Sequence, residues 1–241
     1  MINTFKETSL HRSLKNLYAA SSGGKTEVKQ DGMIYDIFTE EGNIIEIQTQ
    51  NLSKLLPKIL KSLLLHRKCT VVYPLSETKT ITYKDKDGNI ISRRKSPKKK
   101  SVYDIFRELT GLYPVLLDEN FILEIIFTET EEIRTKTEEK IQSENNRRRF
   151  KKDWNKTDKK LIEIRGKKIF SKPEDYLFLL PKNLPSEFSV KDIKESLKTE
   201  GKEKNILKNV PIMIWVLCKM NLIIFTGKKG NSKLYKIARK I

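Results

Sequence analysis

The chain has 241 residues with 49 Lys and Arg against 31 Asp and Glu, so it is long enough for one or two domains and basic enough to favour polyanionic partners. Its 10 glycines and 8 prolines exclude collagen-like and low-complexity classes, and two distant cysteines cannot form a disulfide framework or a four-ligand zinc site. Since no apolar run is long enough for a membrane span and no secretory signal is visible, we expect a cytoplasmic protein without a membrane partner.

Residues 1–128 alternate between helical and strand patterns. Leu10, Leu14 and Leu17 share one face of a predicted helix over 4–19, which the stretch 21–24 ends. Strands are then predicted over 27–30, 33–38 and 44–49, a helix over 52–65, a strand over 69–73, a hairpin over 78–83 and 90–92, a helix over 102–112 and a strand over 121–128. The order α-β-β-β-α-β-β-β-α-β predicts an α/β domain with a mixed sheet.

Residues 129–160 are almost wholly polar, which predicts a charged linker or an exposed helix at a domain boundary. The segment 161–241 then carries three helical patterns and two strands around a basic, glycine-containing tip. The helices are predicted over 173–180, 190–197 and 206–220, and the strands over 222–225 and 233–237. This order predicts a small, basic, winged-helix-like α+β domain.

The positive charge is concentrated towards the C-terminus. Residues 142–241 hold 26 of the 49 Lys and Arg but only 11 of the 31 Asp and Glu. A basic segment beside a near-neutral one is typical of a nucleic-acid-binding module, although a lysine-rich background that serves solubility is the alternative. The residues predicted to contact the phosphates of duplex DNA are Arg93, Arg94, Lys95, Lys98 and Lys99 in a basic loop, Lys202, Lys204 and Lys208 near the third C-terminal helix, and Lys228, Lys229 and Lys233 on the wing.

Two carboxylates are predicted to meet on the hairpin 33–48. A three-residue loop ending at Gly42 gives a register that puts Asp36 opposite Glu46 on one face, with apolar neighbours on both faces of the sheet. At ~5 Å apart, two buried carboxylates cannot both stay ionised unaided. Bound Mg²⁺ (or Mn²⁺) would balance them, and it would also support phosphodiester hydrolysis. The alternative is a pair of ordinary solvated acids on an exposed strand face.

Asp36 followed by Glu46-Ile47-Gln48 resembles the metal-binding core of the PD-(D/E)XK nuclease superfamily. The resemblance covers about residues 5–75 and implies a restriction-endonuclease-like α-β-β-β-α-β core. It also implies catalytic and metal-binding roles for Asp36 and Glu46, with a metal contact from the main-chain carbonyl of Ile47. Gln48 stands where lysine is usual; it can hold a water but brings no charge. The segment is also similar to an uncharacterised bacterial family that joins such a core to a basic C-terminal domain.

Members of the superfamily often add an acid from the first helix, and Glu7 is the candidate, with His11 and Lys15 along the same helix face. Glu7 could equally complete a capping box with Thr4.

Two functions from different classes remain open. The first is a Mg²⁺-dependent DNA endonuclease, which could be a homodimer because cutting both strands of a duplex needs two sites. The second is a catalytically inactive nuclease-fold protein that regulates or assembles on DNA, and Gln48 favours it. RNA is a third possible partner, although the chain carries no aromatic RNA-binding strand motif.

Overall fold

A computed structural model describes residues 7–142 and 149–238, and its first two thirds alternate between helices and strands. The elements of this part are α1 (Ser9–Ser22), β1 (Lys25–Gln30), β2 (Met33–Phe38), β3 (Ile44–Ile47), α2 (Leu56–Leu64), β4 (Cys69–Lys84), β5 (Ile90–Lys95), α3 (Phe106–Leu109), β6 (Phe121–Ile141) and β7 (Lys152–Phe170). Single 3-10 turns, Leu52–Leu55 and Val102–Ile105, precede α2 and α3. Within the two described stretches, no helix combines the length and the apolar character needed to cross a membrane.

Seven strands form one mixed sheet in the order β1-β2-β3-β4-β6-β7, with β5 paired to β4. Strands β1 to β3 form an antiparallel meander, β4 runs parallel to both β3 and β6, and β7 returns antiparallel to β6. The parallel neighbours β3 and β4 are joined through α2, as a parallel pair requires a crossover. The predicted α/β class with a mixed sheet is confirmed.

Helices cover both faces of this sheet. Leu10 and Leu14 of α1 pack against Val72 on one face. The adjacent residue Val71 belongs to the larger core on the opposite face, which α2, α3 and the C-terminal helices cover. Because successive side chains of a strand point to opposite faces, this two-sided burial explains the nearly continuous apolar runs in the central strands.

Of the segment 129–160, predicted to be a linker or an exposed helix, residues 129–141 lie instead in the long strand β6 and residues 152–160 in the long strand β7. The boundaries predicted at 128/129 and 160/161 therefore fall inside strands. Polar side chains of β6 have partners on the neighbouring strand β4: Thr130 donates to Ser76 at 3.0 Å, and Glu132 pairs with Lys79 at 2.9 Å. Such pairs stabilise a polar strand without the apolar helical stripe that the sequence analysis sought.

The C-terminal part follows the predicted order of helices and strands with different bounds. Its elements are α4 (Pro173–Leu177), α5 (Val190–Thr199), α6 (Lys204–Leu207), α7 (Val210–Lys219), β8 (Ile223–Lys229) and β9 (Ser232–Ile237). The single helix predicted over 206–220 is divided before α7, because Pro211 occupies the first turn of a new helix. Phe188 forms a short bridge with Tyr235 of β9.

The C-terminal helices pack against α3 and share its core. Tyr103 donates to the carbonyl of Leu179 at 3.0 Å. The fully buried Asn209 accepts from Arg107 Nε at 3.0 Å and donates to Asp104 Oδ1 at 3.0 Å.

Replacing the buried Asn209 by alanine is expected to cost about 2 kcal/mol of unfolding free energy, because Asp104 and Arg107 each lose a hydrogen-bond partner. Since the core is shared, urea unfolding should remain a single transition with a lower midpoint when followed by tryptophan fluorescence and by circular dichroism. Separate transitions from the two probes would contradict the shared core.

Candidate functional site

The hairpin of β2 and β3 has the predicted register. The amide of Thr39 donates to the carbonyl of Asn43 at 3.0 Å, and Gly42 has a φ of +80°, which favours glycine. The pairing of β2 with β3 continues from this loop, so Asp36 lies opposite Glu46. A loop of three residues, 40–42, therefore fixes which side chains meet three pairs beyond Thr39 and Asn43.

At this point the carboxylates replace the main-chain ladder. The amide of Ile47 donates to Asp36 Oδ2 at 2.8 Å, and the amide of Asp36 donates to Glu46 Oε1 at 3.2 Å. Each acid thus accepts from the backbone of the opposite region of the hairpin. The two carboxylates are held together where the strands separate.

The carboxylates nevertheless reach towards opposite layers, which corrects the prediction that they share one face. Asp36 Oδ2 lies 3.3 Å from His11 Nε2 on α1, whereas Glu46 Oε2 lies 2.8 Å from Lys58 Nζ on α2. The reason is local: each side chain bends into the gap between the separating strands to accept an amide hydrogen. The pair therefore joins both helical layers through the sheet.

The environment drives the two pKa values apart. Burial, and then the charge of Asp36, raise the pKa of Glu46 well above its usual range despite the opposing effect of Lys58. Burial would also raise the pKa of Asp36, but the hydrogen bond and charge of His11 outweigh it and lower that pKa. One acid is thus firmly ionised, and its buried neighbour is ready to bind a cation or a proton.

Glu7 reaches the pair indirectly. Its Oε1 lies 2.7 Å from His11 Nδ1 and 2.7 Å from Lys15 Nζ, and Lys15 Nζ also lies 2.6 Å from Glu27. Burial opposes ionisation, but the bonds from Lys15 and His11 lower the pKa of Glu7 to about 2. Glu7 and Asp36 contact different ring nitrogens of His11, so Glu7 orients His11 rather than extending the carboxylate pair.

The predicted capping box falls partly outside the described residues, since Thr4 belongs to the undescribed N-terminus. Helix α1 begins at Ser9, and the hydroxyl of Thr8 accepts from the amide of His11. Glu7 therefore precedes the N-cap, which leaves its carboxylate free to bind His11 and Lys15.

His11 makes the stability of the site depend on pH. Both ring nitrogens face carboxylates, so the imidazolium donates to both. Burial lowers its pKa, but the bonds to Asp36 and Glu7 outweigh burial and raise it above 6.5. This stabilisation is complete below pH 6.5 and is lost as the pH rises through the folded value. We expect His11→Gln to cost about 1 kcal/mol at pH 6 and less at pH 9, as measured by urea unfolding; an equal cost at both values would contradict this assignment.

Gln48 is not brought to the carboxylate pair. Its side-chain amide donates to the carbonyl of Asn51 at 3.3 Å, and its main-chain amide pairs with β4. Lys58, which belongs to none of the sequence motifs, instead supplies the positive charge beside Glu46. Its Nζ also donates to the carbonyl of Ile34 at 2.6 Å. The only local sequence feature that could have indicated this role of Lys58 is its place on the helix that follows the strand of Glu46.

The donor set suits a hard divalent cation. Asp36, Glu46 and the carbonyl of Ile47 offer only oxygen, and Mg²⁺ typically takes one or two carboxylates with water and phosphate completing its shell. Across residues 7–142 and 149–238, no group of three or more His, Cys, Asp or Glu is arranged to hold a metal. The protein would therefore contribute two carboxylates and leave the other positions to water and substrate.

The predicted DNA-contacting residues lie on separate surfaces. Arg93, Arg94 and Lys95 form the end of strand β5 rather than a loop, because a β-turn at 85–89 extends the hairpin with β4. Residues 202, 204 and 208 are exposed around α6, and residues 228, 229 and 233 are exposed on β8 and β9. Hairpin pairing sets Lys228 opposite Lys233.

Three of these residues, Lys98, Lys99 and Lys208, line a cleft of about 730 Å³. The stretch 49–51, which begins directly after Gln48, also lines this cleft. This cleft therefore lies beside the end of β3 and connects part of the predicted basic surface with the strand that carries Glu46.

Comparison with known proteins gives one family and one relative. Residues 8–171 match the family described as "Domain of unknown function (DUF8091)". An uncharacterized protein of Treponema pallidum (strain Nichols) is 35% identical over 195 residues, which cover 81% of this chain and 74% of that protein. No solved structure matches. The family match ends one residue after β7, so it covers the whole seven-stranded sheet and the carboxylate pair.

Proposed function

The chain belongs to the DUF8091 family, and we propose that it is a metal-dependent DNA endonuclease with a restriction-endonuclease-like core of the PD-(D/E)XK type. The observation that carries this proposal is the meeting of Asp36 and Glu46 where β2 and β3 separate. The order α1-β1-β2-β3-α2-β4, with an antiparallel meander and then a parallel β4, supports it because it is the order expected for that core.

Asp36, Glu46 and the carbonyl of Ile47 would hold Mg²⁺ or Mn²⁺. The bound ion would lower the pKa of a water and stabilise negative charge on the phosphate. The chain's own residues prepare the site: Lys58 balances Glu46 from α2, and His11 holds Asp36 from α1. Glu7 fixes His11 in turn, so it acts as a positioning residue.

Lys58 takes the place of the charge that Gln48 lacks. Its ammonium lies 2.8 Å from Glu46, within reach of an anion that approaches this carboxylate. It would favour the ionised form of Glu46 and attract the scissile phosphate. Gln48 would contribute at most a hydrogen bond to water.

The basic residues predicted to contact phosphate support duplex DNA as the substrate. Lysines on α6, on the 96–100 loop and on the β8–β9 hairpin would bind the backbone of duplex DNA without reading its sequence. The helices α4 to α7 with that hairpin support a winged-helix-like role in docking the duplex. A homodimer would provide the two sites needed to cut both strands. Two free cysteines agree with a cytoplasmic location.

A catalytically inactive DNA-binding regulator or assembly protein is the second candidate. The side chain of Gln48 turns towards Asn51 instead of the carboxylates, and this observation favours it. In that case Lys58 and His11 would act only as structural counter-ions of Glu46 and Asp36.

Incubation of supercoiled plasmid with the purified protein tests the two candidates. We expect nicking in Mg²⁺ or Mn²⁺ and none in EDTA. Duplex binding without cutting in either metal would contradict the endonuclease and favour the regulator. Binding to structured RNA with higher affinity than to duplex DNA at matched salt would contradict both.

A further inference from the structure

Four lysines from three elements converge at one part of the cleft beside β3. Lys79 comes from β4, Lys100 from the loop before α3, and Lys156 and Lys159 from β7, and all four line the cleft. Lys79, Lys156 and Lys159 were not among the residues predicted to bind nucleic acid, whereas Lys100 ends the basic loop that was predicted to contact phosphate. They form a lysine cluster that only the folded sheet assembles.

The acids in the same wall are already engaged. Glu132 accepts from Lys79 at 2.9 Å and from Arg134. Asp104 accepts from the amide of Ser101 and from Asn209, and Glu108 accepts from the amide of Leu52. Seven lysines and three acids line the cleft, which therefore has an excess of positive charge.

Three ammonium groups of the cluster form no direct ion pair in the described part of the chain, although the charge of Glu132 acts on Lys159 from the neighbouring strand. Within the part of the chain that the structure describes, no ion pair joins a carboxylate to Lys100, Lys156 or Lys159. Lys159 is half-buried, and burial followed by the charges of Lys156, Lys100 and Lys79 lowers its pKa to about 8. Holding like charges together at a half-buried position costs free energy unless an anion binds among them.

The position of the cleft also suits a ligand. Strand β3 pairs with residues 69–72 of β4, and β5 pairs with residues 80–84, so the edge of β4 between them is open. Tyr73 and Ser76 from this interval line the cleft, together with the side chain of Asn205, whose Oδ1 is buried without a hydrogen-bond partner. Ligands of α/β sheets commonly bind at the carboxyl ends of parallel strands, where this cleft opens.

We propose that the lysine cluster is a binding site for a nucleotide phosphate group that carries at least two negative charges. A terminal or free phosphate offers three acceptor oxygens and a charge near −2, whereas an internal phosphodiester carries one charge. A cleft of about 730 Å³ has the size of a site for a nucleotide-sized ligand. This assignment goes beyond the nuclease proposal and does not depend on it.

The same chemistry has two sources, a phosphorylated strand end and a free nucleoside polyphosphate. Binding is measured by calorimetry in EDTA, with ATP, AMP, and single-stranded hexanucleotides that carry either a 5′-phosphate or a 5′-hydroxyl. We expect tighter binding of ATP than of AMP, or about tenfold tighter binding of the 5′-phosphate strand than of the 5′-hydroxyl strand. The first result assigns a free polyphosphate, and the second assigns a strand end.

Lys159→Gln and Lys100→Gln should each weaken the preferred ligand about tenfold. Lys160→Gln is the matched control, because Lys160 is the exposed neighbour of Lys159 on β7 and does not line the cleft. Lys100 lies in a loop, so its variant tests the site even if the β7 variant fails to fold. Equal affinity for both strands without ATP binding, or unchanged affinity in both variants, would overturn the proposal. Because EDTA prevents metal-dependent cutting, neither result affects the plasmid test.

Discussion

Glu46→Gln is expected to abolish metal-dependent cleavage while leaving the protein at least as stable as the wild type at pH 8. The amide removes a proposed metal ligand, which should lower the nicking rate about a hundredfold or more. It also removes a buried charge that lies beside Asp36. The glutamine side chain is isosteric with glutamate, and its single carbonyl can still accept from Lys58, while the amide of Asp36 loses its acceptor. A functional carboxylate is thus expected to be one that the fold would be more stable without.

The pH dependence of this effect has a definite sign. The folded pKa of Glu46 is raised above its usual value of 4.5, so its ionised form costs stability as the pH rises from that value through the folded one. The variant's relative stability should therefore be greatest above neutral pH and disappear below pH 4.5. Glu41→Gln is the matched control, since Glu41 is exposed on the same hairpin. A loss of more than about 1 kcal/mol at pH 8, or cleavage at the wild-type rate, would contradict the assignment.

Lys58→Met is expected to destabilise the protein by about 3 kcal/mol at pH 8, because it leaves the buried carboxylate of Glu46 without its counter-ion. The carbonyl of Ile34 loses its donor as well. The loss should shrink in acid, where Glu46 binds a proton. Cleavage should fall by about tenfold or more, because positive charge beside the scissile phosphate is removed.

Lys54→Met is the control for this prediction, since Lys54 is exposed one turn earlier in the same helical segment. The double variant Lys58→Met/Glu46→Gln should regain most of the lost stability, because no buried charge is then unpaired. Denaturant unfolding of the four proteins gives the coupling free energy. Additive losses would show that the two side chains act independently.

The hairpin of the site could be predicted from sequence because its determinants are local. The bounds of β2 follow from the nearly continuous apolar run over 33–38, and the position of Gly42 fixes the loop and hence the register. In a hairpin, one glycine that needs a positive φ determines every pair that follows. The proximity of Asp36 to Glu46 could accordingly be predicted from the sequence alone.

The layers that the carboxylates face could not be predicted in the same way. Strict alternation puts opposite residues on one face, but the separation of β2 from β3 lets Asp36 turn to His11 and Glu46 to Lys58. The packing of α2 over the sheet decides which lysine lies beside Glu46, and no local sequence pattern predicts this packing. The motif alone assigns Gln48 to the position of the usual lysine, whereas the positive charge beside Glu46 comes from Lys58 of α2.

The long strands β6 and β7 show a related difficulty. Their outer halves are polar, so hydrophobic periodicity predicts neither a helix nor a strand for them. They are stabilised by neighbours distant in sequence, such as Lys79 beside Glu132. The lysine cluster depends on the same pairing, because Lys159 of β7 lies opposite Glu132 of β6.

Plasmid nicking by wild type, Asp36→Asn and Asp31→Asn in Mg²⁺ tests the central claim most directly. Asp31 is a matched control, because it lies on the turn between β1 and β2 and pairs with Arg67 away from the carboxylate pair. We predict that Asp36→Asn nicks about a hundredfold more slowly or not at all, while Asp31→Asn nicks at the wild-type rate and both variants still bind duplex DNA. Nicking by Asp36→Asn at the wild-type rate would show that hydrolysis does not occur at this carboxylate pair.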